Sequence, residues 1–269
     1  NMNTFFYGNH PQGADLFVAK LDNTGALSAC TYLGNSDNDG LNYANGLFYN
    51  YGDAFRGEIN IHPNGNVFVA TTVRGSFPVT ANAQQSVYGG GASDGALLVL
   101  SPNLNNLLYA SYIGGSGDDA CYAVQFDNAG QVLLCGGTKS VNFPIPNSGY
   151  DSNFNGKVDG FVLKINPTNY SISGGTYIGT GDFDQAFFVQ CDNNNNVYVL
   201  GQTNGNMPIS AGCYGQANSG LFIQKYNNNI STLTWNTVIG TESGEVDLSP
   251  TAFLVSDCEQ IFFSGWGGG

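Results

Sequence analysis

One hydrophobic string returns along this chain at a nearly fixed interval. Val67-Phe68-Val69-Ala70, Val132-Leu133-Leu134-Cys135, Val197-Tyr198-Val199-Leu200 and Ile261-Phe262-Phe263-Ser264 begin 65, 65 and 64 residues apart. A second marker agrees: Tyr32-Leu33-Gly34, Tyr112-Ile113-Gly114, Tyr177-Ile178-Gly179 and Val238-Ile239-Gly240 are spaced 80, 65 and 61. The proline after Phe77, Phe143 and Met207 recurs at 66 and 64. Three markers with one period are the mark of a repeat architecture. The outlying interval of 80 places an insertion of about 15 residues between Gly34 and Gly57.

Each period predicts four short strands. In the best-formed copy these are Tyr122 to Phe126, Val132 to Gly136, Gly160 to Ile165 and Ser171 to Ile178, rich in Val, Ile, Phe and Tyr and bounded by Asn, Asp, Gly and Pro turns. No window holds a 3.6-residue period. Four antiparallel strands in about 65 residues predict an all-β chain, a β-propeller of four-stranded blades. The blade-equivalents run about 13–56, 57–120, 121–185 and 186–245, and 246–269 begins a further one, all within one domain or domain fragment, 1–269. With Tyr122 to Phe126 innermost, the chain enters at a third strand and leaves at a second. Either one blade is shared between the two ends, closing a four-bladed ring, or the chain is part of a larger propeller; the larger ring is the expectation.

Composition narrows the partners. Seven Lys and Arg against 20 Asp and Glu give a formal charge of −13, which disfavours nucleic acid and anionic membrane surfaces. No apolar run is long enough for a spanning helix, so direct membrane insertion is not expected. Asn1 to His10 lacks the basic and apolar regions of a secretory leader.

The residues around Asp15-Leu16-Phe17-Val18-Ala19-Lys20-Leu21, Thr31-Tyr32-Leu33-Gly34 and Ser111-Tyr112-Ile113-Gly114-Gly115-Ser116-Gly117-Asp118-Asp119 resemble the SBBP family of bacterial β-propeller repeats. The Phe-Pro pairs and the Asp94-Gly95 and Asp159-Gly160 strand openings fit the same pattern, from about Gly13 onward. The stretch from Ser249 to Gly267 further resembles propeller segments of large surface proteins associated with gliding motility and type IX secretion in Bacteroidetes-like bacteria. The resemblance implies an exported module on the bacterial cell surface, served by a secretion or surface-attachment machinery. It implies little about activity, because the repeated positions are packing and turn residues.

Loop lengths single out one face for binding. Hairpin turns such as Asp127 to Gly130 and Asn166 to Asn169 are tight, whereas Thr72 to Ser93 and Thr138 to Asp159 each exceed twenty residues and lead to the opposite face. The insertion Leu41 to Arg56 lands there with Tyr43, Phe48, Tyr49, Tyr51 and Phe55, aromatics suited to stacking on sugar rings, to anchoring a protein partner, or to packing under their own loop. Five residues after each fourth-strand glycine stands an acid: Asp39, Asp119, Asp184 and Glu245. These predict an arc of carboxylates at one mouth of a central channel, as a cation or ligand site or as loop clasps accepting backbone N–H bonds.

One loop matches a calcium-binding string. Asp151, Asn153, Asn155, Gly156, Lys157 and Asp159 follow D-x-[DN]-x-[DN]-G, with Val162 where a bidentate Glu is expected; weak Ca²⁺ binding and a self-bonded turn are the two readings. Asn35-Ser36-Asp37-Asn38-Asp39-Gly40 is a poorer match.

Catalytic strings fail on context. Gly91-Ala92-Ser93-Asp94-Gly95 precedes a strand, where a nucleophile elbow needs a helix to follow, and His10 and His62 are the only histidines. Gly115 to Ala120 imitates a dinucleotide loop, but its aspartates would repel a pyrophosphate. Lys20, Lys164 and Lys225 share one third-strand register, a packing or salt-bridge position. Of six cysteines, Cys121 with Cys135 and Cys213 with Cys258 are candidate disulfides in an exported protein, and Cys30 and Cys191 read as thiols. The expected function is a non-catalytic binding or scaffold module for a protein or glycan partner. Its alternatives are a glycan-active enzyme and a calcium-dependent lectin.

Overall fold

A computed structural model describes residues 4–7, 14–35, 37–42 and 44–267. Among them the only helix is a short 3-10 turn, Tyr51–Phe55; everything else with regular structure is strand. Packing divides the chain into two compact units, Asn1–Cys121 and Tyr122–Gly269.

The first unit opens with a three-stranded sheet. Strands β1 (Thr4–Tyr7), β2 (Leu16–Leu21) and β3 (Leu27–Leu33) lie in the order β1-β3-β2, β2 antiparallel and β1 parallel to β3. Next comes a four-stranded antiparallel sheet in sequence order: β4 (Glu58–Ile61), β5 (Val67–Val73), β6 (Asp94–Leu100) and β7 (Leu107–Ile113). Strand β8 (Asp119–Phe126) carries the chain into the second unit. It starts the sheet completed by β9 (Val132–Thr138), β10 (Asp159–Ile165) and β11 (Ile172–Ile178). A third such sheet holds β12 (Asp184–Cys191), β13 (Val197–Thr203), β14 (Leu221–Tyr226) and β15 (Leu233–Ile239). Strands β16 (Leu248–Val255) and β17 (Ile261–Gly267) form a two-stranded sheet. The chain is therefore all-β, and its repeat unit is a four-stranded up-and-down sheet of the kind that forms propeller blades. All four strands expected in the third copy are present, and the 65-residue period is the step from sheet to sheet.

Second and third strands explain why the copies need one another. Strands β5, β6, β9, β10 and β13 are buried at every residue, so both faces of each sheet are covered. Their sequences read as near-continuous apolar runs rather than as alternating ones, the pattern of sheets with no wet face. Close approach adds a requirement at Gly95, where a methyl group would collide with Cys121 Sγ and the carbonyl of Ile113.

The third-strand lysine ties tight turns together. In the β8–β9 turn Asp127 accepts the amides of Ala129 and Gln131 through Oδ1, at 2.9 and 2.8 Å, while its Oδ2 meets Lys164 Nζ at 2.7 Å. Lys164 also donates to the carbonyl of Asn228 in the next sheet's outer turn, 3.0 Å away. One repeat later Asp192 accepts from Asn194 and Asn196, and its Oδ2 lies 3.2 Å from Lys225, which also reaches Glu259. The copy with His62 in place of the aspartate carries Val99 in place of the lysine. Lysine and aspartate thus enter and leave the repeat as a pair.

Both members of the Lys164–Asp127 pair are out of water, so deleting one strands the other. Lys164→Met is expected to cost about 3–5 kcal/mol in denaturant unfolding. Adding Asp127→Asn to that variant is expected to restore part of the loss.

Candidate binding site

The repeated acids are clasps. Asp39, Asp119 and Asp184 are fully or almost fully buried. Each uses Oδ2 to accept the amide four residues back: Asn35 at 3.0 Å, Gly115 at 2.6 Å and Thr180 at 2.6 Å. Their own amides donate to Ala14, Ser93 and Val158, at the entrances to third strands, at 2.7, 2.8 and 2.9 Å. They are therefore not presented to solvent as an open arc. Glu245 does not belong with them: it is exposed, and Asp247 takes the role, accepting the amide of Thr241 at 3.0 Å together with its hydroxyl. The fourth loop is two residues longer, so counting five from Gly240 misses the clasp.

A second acid stands behind the clasps Asp119 and Asp184. Asp94 lies against Asp119 and Asp159 against Asp184, all four inaccessible to solvent. Asp94 Oδ2 accepts from Gly89 at 2.7 Å and from the Gln85 amide at 3.3 Å, while its Oδ1 has no hydrogen-bond partner among the described residues. Burial, reinforced by the neighbouring carboxylate, pushes Asp94 and Asp159 up to about 7. Burial likewise raises Asp39 to about 7 and Asp184 to about 6.

The calcium-like loop is bonded largely to itself, with Asp159 Oδ1 the oxygen that has no hydrogen-bond partner among the described residues. Asp151 Oδ1 accepts the amide of Asn153 at 2.9 Å, and Asp159 Oδ2 accepts that of Asn155 at 2.8 Å. The Asn155 side-chain amide donates to Asp151 Oδ2 and to the Asn153 carbonyl, at 2.9 and 3.0 Å. Lys157 turns away to pair with Asp182 at 2.7 Å. No group of three or more His, Cys, Asp or Glu among the described residues is placed to hold a metal ion.

Neither expected disulfide is present. Cys121 is buried with its Sγ over Gly95, whereas Cys135 packs with Val162, Ala186 and Val199. Cys213 and Cys258 are also free, half-buried and exposed respectively, as are Cys30 and Cys191. Ser93 is buried and gives its hydroxyl to the Asp119 carbonyl, so the nucleophile-like string holds a structural serine.

The insertion is a built loop rather than a slack one. Asp53, fully buried, accepts the amides of Tyr49 and Asn50 at 2.9 and 2.7 Å and pairs with Arg56 Nε at 2.8 Å. Asn42 spans the loop to the Leu47 carbonyl at 2.8 Å, and Ala44 and Leu47 form its small core. Phe48, Tyr49 and Phe55 stay outside, 45%, 44% and 61% exposed. Tyr43 lies outside the described residues; Tyr51 begins the 3-10 turn.

A polar cleft of about 470 Å³ lies in the same unit, lined by Asp37, Asn38, Arg74, Gly75, Tyr88, Gly91 and Ala92. Every lining residue comes from the β3–β4 or β5–β6 connection, the long loops expected to carry binding. Arg74 is fixed by its Nε on the Ala92 carbonyl at 2.9 Å and by its amide on Asp39 Oδ1 at 3.2 Å. Tyr88 packs edge-on against Tyr112 at 5.7 Å and gives its hydroxyl to the Gly91 carbonyl. The clasp Asp39 therefore positions a wall of the cleft without lining it. Sequence reading missed Arg74 and Tyr88 as a site; the available signal was that Arg74 is one of only two arginines in the chain.

No family model matches the chain, and no curated protein matches its sequence.

Groups raised from 3.8 toward 6 or 7 hold protons in the folded chain that the unfolded chain has already released. Stability is therefore expected to fall as pH rises from about 4 to about 7 and then to level off. Asp94→Asn places an amide N–H where the retained proton would sit, so the variant should lose part of that slope and gain melting temperature at pH 8. Millimolar Ca²⁺ is expected to leave the melting temperature unchanged, because Asp151 and Asp159 already accept the amides of Asn153 and Asn155, and Lys157 is paired with Asp182.

Proposed function

We propose that this chain is a β-propeller module with a non-catalytic role, a rigid scaffold that binds a glycan or a protein through the long loops of its first unit. The observation that carries this reading is the cleft where Asp37, Arg74 and Tyr88 meet, in the unit that also bears the exposed aromatics of the insertion. A carboxylate, a guanidinium and an aromatic ring together suit hydroxyl-rich and mixed polar surfaces. A carboxylate-based enzyme gains less support, because Asp119 and Asp184 are sealed from solvent and each commits its Oδ2 to a backbone amide. A calcium-dependent lectin is disfavoured by the self-bonded loop around Asn155.

The blades are proposed to stand around a common axis as part of a propeller in a large exported surface protein, acting in adhesion or display. Support for the ring comes from the sheet repeat. Support for export and for a link to surface-attachment machinery comes from the resemblance to SBBP repeats and to gliding-associated surface proteins.

A glycan and surface-protein array, read with and without chelator, tests the reading. Retention unaffected by chelator is expected, and Arg74→Ala, Tyr88→Ala and Phe48→Ala should each weaken it about tenfold or more. Turnover of any bound glycan would replace the scaffold with an enzyme.

A further inference from the structure

The last four-stranded sheet breaks the repeat in its interior. Pairing sets Gln224 of β14 against Asn236 of β15, where the two earlier copies hold Leu98 against Ala110 and Leu163 against Gly175. An apolar pair thus gives way to two amides, 7% and 1% exposed. The same copy is trimmed beside them. Met207 stands for Phe77 and Phe143, and Val238 for Tyr112 and Tyr177. In the earlier copies those tyrosine hydroxyls tie down the connection after the second strand, Tyr112 on the carbonyl of Gly75 and Tyr177 on that of Ser140, both at 2.8 Å. Val238 has no hydroxyl to do so.

A crevice of about 410 Å³ lies beside this departure, within the second unit. Asn206 and Met207 line it from the β13–β14 connection, Gln224 and Asn236 from the strands, and Tyr150 and Asp151 from the β9–β10 connection. Its buried amides are incompletely matched. Asn236 donates from its side chain to the Pro208 carbonyl, but its Oδ1 has no hydrogen-bond partner among the described residues. Gln224 donates to the Met207 sulfur at 3.9 Å, a weak acceptor. A buried acceptor without a donor costs stability, and the earlier copies show that apolar residues fit these two places. The sheet does not need the amides. Tyr150, by contrast, is held ready: its amide donates to the Ile230 carbonyl at 3.0 Å and its ring packs edge-on against Tyr226 at 5.9 Å, leaving the residue half exposed.

The lining selects a class of ligand. No lining residue is Lys, Arg or His, and Asp151 stands among them, so an anion is disfavoured. Both Asp151 oxygens already accept N–H bonds, from Asn153 and from the Asn155 side chain, which spends charge that an ammonium group would need. What remains is a neutral molecule with hydroxyls to donate and one apolar face to lay on an aromatic ring. We propose that this crevice binds an uncharged sugar residue, a hexopyranose, with its C–H face on Tyr150 and its hydroxyls donating to Asp151 and Asn236. The site is separate from the cleft at Arg74 and independent of what that cleft binds.

Saturation-transfer NMR of the whole chain with a panel of neutral methyl hexopyranosides at millimolar concentration tests it. At least one hexoside is expected to take up saturation. Tyr150→Ala should abolish the transfer, and Arg74→Ala should leave it intact. The decisive variant combines Gln224→Leu with Asn236→Ala, the pair found at Leu98 and Ala110. It should lose the sugar while its melting temperature stays level or rises, an outcome that a merely structural role for the amides does not give. A double variant that melts lower overturns the proposal, as does a panel with no bound hexoside, or transfer that survives both Tyr150→Ala and the double variant. Preference for tetramethylammonium over every hexoside also overturns it. Transfer lost in Arg74→Ala but kept in Tyr150→Ala places the sugar in the first unit's cleft, which overturns this site and leaves the reading of that cleft standing.

Discussion

Sheets that are apolar on both faces cannot stand alone in water. That constraint governs this chain. Strands such as Val132–Thr138 and Asp159–Ile165 bury every residue, so each internal sheet needs a neighbour on either side. Hydrophobic burial supplies the drive but no direction. Direction comes from polar groups placed where sheets meet, and these recur with the same period as the apolar strings.

Two sets of such groups act at two ends of the strands. At the tight turns a buried lysine joins an aspartate of its own sheet to a carbonyl of the next, as Lys164 does with Asp127 and Asn228. At the long loops a buried aspartate gathers the loop behind it, while its own amide reaches the entry of a third strand. The first set balances charge. The second brings buried carboxyls together, as at Asp94, whose pKa the neighbouring Asp119 helps to raise. Retaining a proton is the least costly way to bury such a pair, because an ionised carboxylate out of water needs a compensating charge. The same clasps that order the loops therefore make stability depend on pH.

Much of this organisation was legible in the sequence, and the failures have specific causes. Strand identity and period were readable because apolar strings and turn residues are local signals. The lysine register was readable for the same reason, and the substitution of both Asp and Lys in the copy with His62 and Val99 is a signal of contact within one sequence. Glu245 was misassigned because a fixed count from glycine ignores loop length; the threonine after the glycine, Thr180 and Thr241, marks the true equivalents Asp184 and Asp247. The Cys121–Cys135 pairing failed because nearness along a hairpin does not fix the register in which its two strands pair. In the equivalent pair β12–β13 the register slips between Ala186 and Phe188, the kind of irregularity that composition does not reveal. The cleft was invisible because Arg74 and Tyr88 meet Asp37 only through folding, over separations with no local pattern.

Where the repeat is kept, its residues are committed to holding sheets together. The carboxylate of Asp119, which accepts the amide of Gly115 at 2.6 Å and sees no solvent, is closed to a ligand arriving from outside. The polar cleft and the exposed aromatics lie instead in the long connections, and the largest departure from the period is the insertion between Gly34 and Gly57. Its anchoring shows how a repeat protein carries an added loop without disturbing its sheets. Asp53 and Asn42 fix the loop from within, Ala44 and Leu47 give it a core, and the aromatics are held outward on a frame that the sheets do not depend on. On the proposed reading, substitution at Phe48 or Tyr49 changes what is bound while the clasps at Asp39 and Asp119 stay as they are.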